Sequence, residues 1–225
     1  PNIILVQDQD IKKYLEKFQD LFSELEEYLD PSVYMSCKRN NIAYDGHIYA
    51  CPITGGPIAL YYNKTLMEEE GEEIPDEISW EDYIEIGRRL KERTGKYLLP
   101  PANFFFHSLV GSTGRLYYNE NGDIEADGTR EALELIERLL EADLLYPNIE
   151  ARGDDIYALL AQGEIFSVIG GPYIFSRIKQ LSENESEYQD WVIARLPKTE
   201  TLMYDVDLGG YSWLVINKEN ITDQQ

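Results

Sequence analysis

Side chains that could catalyse a reaction are scarce in this sequence. It contains two histidines, His47 and His107, and none of the motifs of zinc peptidases, serine hydrolases, phosphate-binding loops or dinucleotide-binding folds. Each histidine is therefore predicted to be structural. Carboxylates are abundant, and a pair of them could hydrolyse a glycosidic bond, but that chemistry requires a separation in space that sequence spacing does not give. We predict no catalytic residues, no metal site and no cofactor.

Two other features were candidates for metal binding or for a disulfide. The acidic residues from Asp123 to Gly128, followed by Glu134, resemble a calcium-binding loop, but Arg130 stands where that loop has an apolar residue. This stretch is better explained as a helix cap. Cys37 and Cys51 could close a disulfide loop but fit no zinc or redox spacing, and we predict two free thiols.

The composition excludes several classes of protein. The 225 residues include 42 acidic and 20 basic side chains, which gives a formal net charge of −22. Contacts with phosphate need a basic surface, so this charge argues strongly against a partner that is nucleic acid or an anionic membrane. With 43% hydrophobic and 28% charged residues the chain is globular rather than disordered. Without a run of 18 apolar residues, it has no predicted membrane-spanning segment.

The glycine pair Gly55-Gly56 lies between two runs rich in β-branched and aromatic residues, 47–51 and 58–62, and a second pair, Gly209-Gly210, opens onto another such run at 211–217. Glycine adopts backbone angles closed to other residues, and Pro52 and Pro57 beside the first pair lack the amide donor of a strand ladder. The chain is therefore expected to leave one sheet and enter another at each pair. The alternative is that both pairs form ordinary turns within a single sheet.

If both pairs are crossings, the chain forms two lobes. Residues 1–56 and 209–225 would belong to an N-terminal lobe, and residues 57–208 to a second lobe. The two crossings would lie side by side as a hinge, and the loops that line a hinge face the cleft where small ligands bind.

Strands and helices alternate along the chain, which indicates an α/β fold. Residues 2–6 form an apolar run typical of a buried parallel strand. A helix capped by Asp8 or Asp10 is predicted to follow and to extend to about Leu29. The remaining predictions are helices from Ser79 to Gly95, over 130–142, over 156–162 and from Tyr173, strands at 165–169, 191–195 and 211–217, and a hairpin turn at Asn121-Gly122.

The first strand-to-helix turn brings polar groups to one place. Residues 7–10 read Gln-Asp-Gln-Asp, and in an open α/β sheet such a turn puts side chains and helix N-terminal amides at the edge where ligands bind. Asp8 and Gln9 are therefore candidate binding residues. Alternatively, Asp8 and Asp10 only cap the helix.

The stretch from Asp45 to Lys64 resembles a family signature. It contains DGHIYACP followed by ALYYNK, similar to the D-G-K-I-Y-x-x-P and x-L-Y-Y-N-K of the solute-binding proteins of carbohydrate ABC importers, the family of the maltose-binding protein. Residues 1–6, 163–173 and 194–197, the last leading to Gly209-Gly210, are similar to the same family in the same order. Compared with that family the chain lacks the first elements of the N-terminal lobe and the closing C-terminal helices, so we expect a fragment of a longer secreted protein.

The resemblance implies a fold and a function. The fold would be the two-lobe architecture of type 2 periplasmic binding proteins, with an incomplete N-terminal lobe and a nearly complete second lobe. The protein would bind a sugar or oligosaccharide by hinge closure and deliver it to the permease subunits of an ABC transporter. It would be extracellular or periplasmic, lipid-anchored and monomeric. The alternatives are a carbohydrate-active enzyme and a binding protein for a polyamine or glycerol phosphate.

The resemblance also implies a site. Tyr173 stands where the family has an aromatic residue that stacks on a sugar ring, whose C–H face is apolar. Phe104 and Phe106 stand where family members carry ligand-contacting aromatics. One ring of the run Phe104 to Phe106 should face the cleft, because three consecutive side chains of a regular element cannot all point inward. The other candidates are Asn103, Thr54, Gly55, Gly56, Gly209, Gly210 and Tyr211. Gly56 replaces a ligand-binding carboxylate of some relatives, so the resemblance does not identify the sugar.

Overall fold

The computed structural model describes residues 1–34, 36–115, 117, 124–151, 153–181, 190–206 and 210–217, with the backbone alone at residues 36 and 37. Its helices are α1 Asp8–Phe18, α2 Ser36–Ile42, α3 Lys64–Glu69, α4 Trp80–Thr94, α5 Ala102–Ser112, α6 Asp127–Glu141, α7 Asp154–Ala161 and α8 Tyr173–Leu181. Its strands are β1 Ile3–Gln7, β2 Ala43–Tyr44, β3 His47–Ile48, β4 Ala50–Pro52, β5 Ala59–Asn63, β6 Ser167–Gly170, β7 Trp191–Ala194 and β8 Tyr211–Val215. None of the described helices combines the length and the apolar character that a bilayer crossing requires.

Contacts within the chain divide it into two units. Unit 1 contains the described residues in the ranges 1–56 and 210–217, together with Tyr117, Ile124 and Glu125. Unit 2 contains those of residues 57–115 and 126–206. The first passage between the units falls between Gly56 and Pro57. Gly209 and the predicted hairpin turn at Asn121-Gly122 lie outside the described residues.

Unit 1 is built on a three-stranded antiparallel sheet in the order β1-β8-β4. The prediction that the first strand is parallel and buried is wrong. Its side chains alternate, with Val6 7% exposed and Leu5 58% exposed, because one face packs against the core that α1 and α2 share while the other carries exposed side chains. That core contains Val6, Ile11, Leu15, Ile42, Ala50 and Leu214.

Helix α1 is shorter than predicted. It ends at Phe18 rather than near Leu29, and a 3₁₀ turn, Gln19–Leu21, follows. Phe22 then forms a β-bridge with Ile216, and the Leu25 N–H donates to the Ile48 carbonyl at 2.7 Å. Phe22 and Leu25 are both buried in the unit 1 core. Buried apolar residues therefore recur beyond the end of α1, although the chain there is not helical, and this made the predicted helix too long.

Unit 2 contains a second antiparallel sheet, in the order β6-β5-β7, with β5 in the centre. The predicted helix boundaries at α4 are confirmed. Ser79 Oγ accepts from the Asp82 N–H at 3.0 Å, and Gly95 ends the helix with φ of 73°, in the left-handed region that glycine tolerates. The predicted strand over 165–169, the helix start at Tyr173 and the strand over 191–195 are also present within two residues.

The helix cap predicted from the acidic stretch near Asp123 is not found in the described residues. Helix α6 begins at Asp127, and its N-cap residue, Ala126, makes no side-chain capping bond. The Asp127 carboxylate instead pairs with Arg115 at 3.1 Å and Arg130 at 2.8 Å. Asp123 itself lies outside the described residues.

The two connecting segments lie beside each other within each unit. In unit 1 the Tyr211 carbonyl accepts from the Ile53 and Thr54 N–H groups at 3.0 and 3.2 Å. In unit 2 the Ile58 N–H donates to the Asp205 carbonyl at 3.2 Å. The segment that leaves unit 1 and the segment that returns to it are thus hydrogen-bonded to each other within unit 1 and again within unit 2.

A carboxylate fixes the returning segment in unit 2. Asp205 accepts from Arg195 Nε at 3.0 Å, from Lys198 Nζ at 2.6 Å and from the Leu196 N–H at 3.1 Å. Burial acts to raise the pKa of Asp205, but these hydrogen bonds outweigh it and lower the pKa below the ordinary 3.8. Because the folded pKa lies below the unfolded one, the stabilisation is present above about pH 4 and is lost as the pH falls through the folded pKa.

We expect Asp205→Asn to lower the free energy of unfolding by about 1–2 kcal/mol at pH 7, because hydrogen bonds to charged groups are replaced by weaker ones. The difference from the unsubstituted protein should shrink at pH 3. Urea unfolding at both pH values measures it, with the exposed Glu200→Gln on the same segment as the control. A loss of the same size at both pH values would contradict the role of the charge.

Candidate functional site

Polar side chains of unit 1 meet where β1 ends and β8 begins. The antiparallel register pairs Gln7 with Tyr211, so the last residue of one strand lies opposite the first residue of the other. Gln7 Nε2 donates to the Tyr211 hydroxyl at 3.1 Å, and Gln9 Nε2 donates to Gln7 Oε1 at 3.0 Å. Tyr211 is 41% exposed, so this chain of hydrogen bonds lies at the surface of the unit.

The glycine-rich connection closes against the same group. Thr54 Oγ1 accepts from the Tyr211 N–H at 3.0 Å, and the Gly210 carbonyl accepts from the Asp8 N–H at 3.0 Å. Gly210 has φ of 123°, and a Cβ on it would lie 2.5 Å from the Thr54 carbonyl oxygen and 2.9 Å from that of Gly55. The structure thus brings together Gln9, Thr54, Gly55, Gly210 and Tyr211 from distant parts of the chain.

Asp8 has a different environment from its neighbours. It is 2% exposed, and its carboxylate accepts from Ser212 Oγ at 2.6 Å and forms a buried ion pair with Lys38. It does not cap α1, whose N-cap residue is Gln7 and makes no side-chain capping bond. The Asp8 side chain therefore ties α1, α2 and β8 together, while its backbone amide fixes Gly210.

In unit 2, Tyr173 stands at the first position of α8, directly after the turn that follows β6. Its side chain is 59% exposed. A Cβ on Gly171 would lie 3.0 Å from Tyr173 Cε1, so the glycine lets the ring fold back over the turn. The tyrosine ring is thus held close to the backbone while much of its surface faces solvent.

Tyr157 of α7 links two of the predicted residues. Burial raises the pKa of the Tyr157 phenol, and a hydrogen bond with Tyr173 raises it further. The Tyr157 ring also packs against Phe104, with centroids 5.9 Å apart and planes at 77°. Tyr157 was missed in the sequence because it falls on the apolar face of α7 and carries no motif; it is 5% exposed.

The phenylalanine run lies on a helix, α5, which extends from Ala102 to Ser112. Phe105 is 1% exposed, whereas Phe104 and Phe106 are partly exposed, because consecutive helix positions are about 100° apart. Asn103 Nδ2 donates to the Ile149 carbonyl at 3.1 Å, and the Phe106 ring lies 5.6 Å from that of His107. Of the predicted residues in unit 2, Phe104 and Tyr173 therefore share one aromatic cluster.

The two groups present different chemistry. Unit 1 offers a phenol, amides, a hydroxyl and backbone groups that bind through neutral hydrogen bonds. Unit 2 offers an exposed aromatic ring supported by buried phenols, and burial raises the pKa of the Tyr61 phenol as well as that of Tyr157. The groups in unit 1 suit neutral polar substituents of a ligand, and the exposed ring in unit 2 suits an apolar face.

The sequence of the whole chain, residues 1–225, matches the model of the bacterial extracellular solute-binding proteins. The chain belongs to this family. The lactose-binding protein of Rhizobium radiobacter is 28% identical over 234 residues, which cover 100% of this chain and 54% of the relative. The chain thus spans about half the length of this relative.

Solved structures of solute-binding proteins share the fold. The galacto-N-biose-/lacto-N-biose I-binding protein of the Bifidobacterium longum ABC transporter superposes with a TM-score of 0.77 at 19% identity, over 98% of this chain and 56% of that one. The sugar-binding protein MalE from Xanthomonas citri gives a TM-score of 0.75 at 19% identity, over 96% of this chain and 57% of that one. The predicted family and the predicted fold class, that of type 2 periplasmic binding proteins, are confirmed.

Proposed function

We propose that this solute-binding protein is the substrate-binding component of an ABC importer for a sugar or oligosaccharide. Residues 1–56 and 209–225 would belong to one lobe and residues 57–208 to the other, with the ligand bound by hinge closure between them. The closed form would deliver the ligand to the permease subunits in the membrane. The protein would act outside the cytoplasm, in an extracellular or periplasmic location, as a lipid-anchored monomer.

The observation that carries this proposal is the exposed Tyr173 ring, held by Tyr157 and by the turn at Gly171. A sugar ring has an apolar C–H face that packs on an aromatic ring, and its hydroxyls need hydrogen-bonding partners in other directions. One stacking contact contributes about 0.5–1.5 kcal/mol beyond the area that it buries. A micromolar ligand needs about −8 kcal/mol in total, so further groups such as Gln9, Thr54 and Tyr211 have to contribute.

The names of the relatives support the same class of ligand. The proteins similar to this chain include a lactose-binding protein, an arabinooligosaccharide-binding protein of Halalkalibacterium halodurans and a lacto-N-biose complex. All of them are binding proteins, which favours a binding role over catalysis for this chain as well.

Replacing Tyr173 with alanine is expected to weaken sugar binding about tenfold or more, because the stacking surface is lost; tenfold corresponds to about 1.4 kcal/mol. Tyr173→Phe keeps the ring and should retain most of the affinity. Calorimetric titration with lactose, lacto-N-biose, maltose and arabino-oligosaccharides measures the affinity. The sample is the whole protein that the gene encodes.

Tyr28→Ala is the matched control, because Tyr28 is 63% exposed and lies outside the candidate site. Its affinity should equal that of the unsubstituted protein. If Tyr173→Ala binds sugar as tightly as the unsubstituted protein, Tyr173 is not part of the site. If the sugars are cleaved during the titration, the protein is an enzyme and the transport proposal is wrong. Binding of a polyamine or glycerol phosphate instead of every sugar would change the ligand class.

A further inference from the structure

Three side chains of unit 1 converge at a place that the proposed sugar site does not use. His47 Nδ1 lies 3.0 Å from Glu26 Oε1 and 3.4 Å from Glu24 Oε2. Taking one ligand atom from each residue, all three atoms lie within 4.8 Å of one another. In the part of the chain that the structure describes, no other group of three such residues is this close.

The backbone holds the two segments that carry these side chains. Leu25, between the two glutamates, is buried in the core, and its N–H donates to the Ile48 carbonyl at 2.7 Å. The Ile48 N–H in turn donates to Glu26 Oε1 at 2.8 Å. His47 follows a two-residue turn, Asp45-Gly46, whose residues both have positive φ, as tight hairpins require. The fold therefore positions the side chains of Glu24, Glu26 and His47 close to one another.

A neighbouring tyrosine orients one of the carboxylates. The Tyr49 hydroxyl lies 3.4 Å from Glu24 Oε1 and accepts from Gln19 Nε2 at 2.7 Å. Glu24 therefore faces Tyr49 with one oxygen and His47 with the other. Outer groups of this kind fix the direction of metal ligands and sustain their affinity.

We propose that Glu24, Glu26 and His47 form a binding site for a divalent transition-metal ion such as Zn²⁺ or Mn²⁺. Imidazole nitrogen with carboxylate oxygen is a donor set that such ions accept, whereas sites for Ca²⁺ and Mg²⁺ use oxygen alone. Ligand atoms about 2.0–2.2 Å from a metal ion are about 3.0–3.4 Å apart when they are neighbours in its coordination sphere, and the distances from His47 Nδ1 to Glu26 and Glu24, 3.0 and 3.4 Å, lie in that range. Two carboxylates also balance the charge of the ion, and the exposure of all three residues leaves room for water ligands.

The first test uses the two histidines of the chain. Substoichiometric Mn²⁺ added to the chelator-treated protein should broaden the imidazole NMR signals of His47 and leave those of His107 sharp, with His47→Asn supplying the assignment. Broadening of both imidazoles alike, or of neither, would overturn the proposal.

The second test compares variants in a Zn²⁺ titration by calorimetry. His47→Asn and Glu26→Gln should each weaken Zn²⁺ binding about tenfold or more, since even the loss of an outer-shell partner costs 10–100-fold. Glu27→Gln, an exposed neighbour that is not part of the group, should bind within about twofold of the unsubstituted protein. Circular dichroism confirms that each variant is folded.

The same titration separates the metal site from a simple ion-pair cluster. Zn²⁺ should also raise the melting temperature of the protein, because an ion that binds only the folded state stabilises that state by mass action. If Zn²⁺ binding is unchanged in both variants, or is lost only in Cys51→Ser, the metal binds elsewhere and His47 only pairs with the two carboxylates.

Discussion

Replacing Lys38 with methionine is expected to destabilise unit 1 by about 3–5 kcal/mol, because it leaves the Asp8 carboxylate buried without its charged partner. Asp8 is 2% exposed and Lys38 5% exposed, so water cannot take over the role of the ammonium group. Ser212 still donates to Asp8 Oδ1, but one neutral hydroxyl does not balance a buried charge. Methionine is similar in length to lysine, so little of the loss comes from packing.

Hydrogen exchange measured by mass spectrometry can assign this loss to one unit. Peptides from residues 1–34, 38–56 and 210–217 should lose protection in Lys38→Met, while those of unit 2 should keep theirs. Lys13→Met is the control, because Lys13 is 4.0 Å from Asp10 and both are exposed, so its cost should stay below about 1 kcal/mol. Adding Asp8→Asn to Lys38→Met should recover stability, and a further loss would show that charge is not the cause.

The predictions that succeeded depend on residues close together in sequence. Ser79 caps α4 through an N–H three residues away, and Gly95 ends the same helix through its own backbone angle. Strand β5 follows in the same way from its aromatic residues and the preceding Ile58, and the turn from β6 into α8 follows from its glycines. Local chemistry of this kind is readable without knowledge of the tertiary structure.

The errors in the fold come from contacts between distant residues. Nothing near Asp8 in the sequence indicates that Lys38, 30 positions away, and Ser212, 204 positions away, surround its carboxylate. The antiparallel pairing of β1 with β8 likewise joins residues more than 200 positions apart, about which the apolar run at residues 2–6 carries no information.

The candidate site shows the same division. The turns that hold Tyr173 and Tyr211 could be found because glycines precede both residues. Gln7 and Tyr157 could not, because Gln7 acquires its role only through the strand register and Tyr157 only through burial beside Phe104 and Tyr173. Whether the predicted residues bind a ligand, and whether the paired connections act as a hinge, stay predictions.

Gly210→Ala is expected to destabilise unit 1 by about 3 kcal/mol and to weaken any ligand binding that depends on Thr54 and Tyr211. The φ of 123° at Gly210 is rarely adopted by other residues and costs alanine about 1–3 kcal/mol. The added Cβ would also lie 2.5 Å from the Thr54 carbonyl oxygen, a backbone atom that can move only if the connecting segment moves with it. The Ile53 and Thr54 N–H groups, which donate to the Tyr211 carbonyl, should then exchange faster with solvent.

Gly46→Ala separates the two causes, because Gly46 has φ of 82° but a Cβ there would meet nothing within 4 Å. It should cost only the backbone strain, about 1–2 kcal/mol, so urea unfolding should find Gly210→Ala the more destabilised of the two. Equal losses would mean that the connecting segment yields easily at Thr54. A larger loss at Gly210, together with faster exchange at residues 53 and 54, would mean that the close contact between these two chain segments stabilises unit 1.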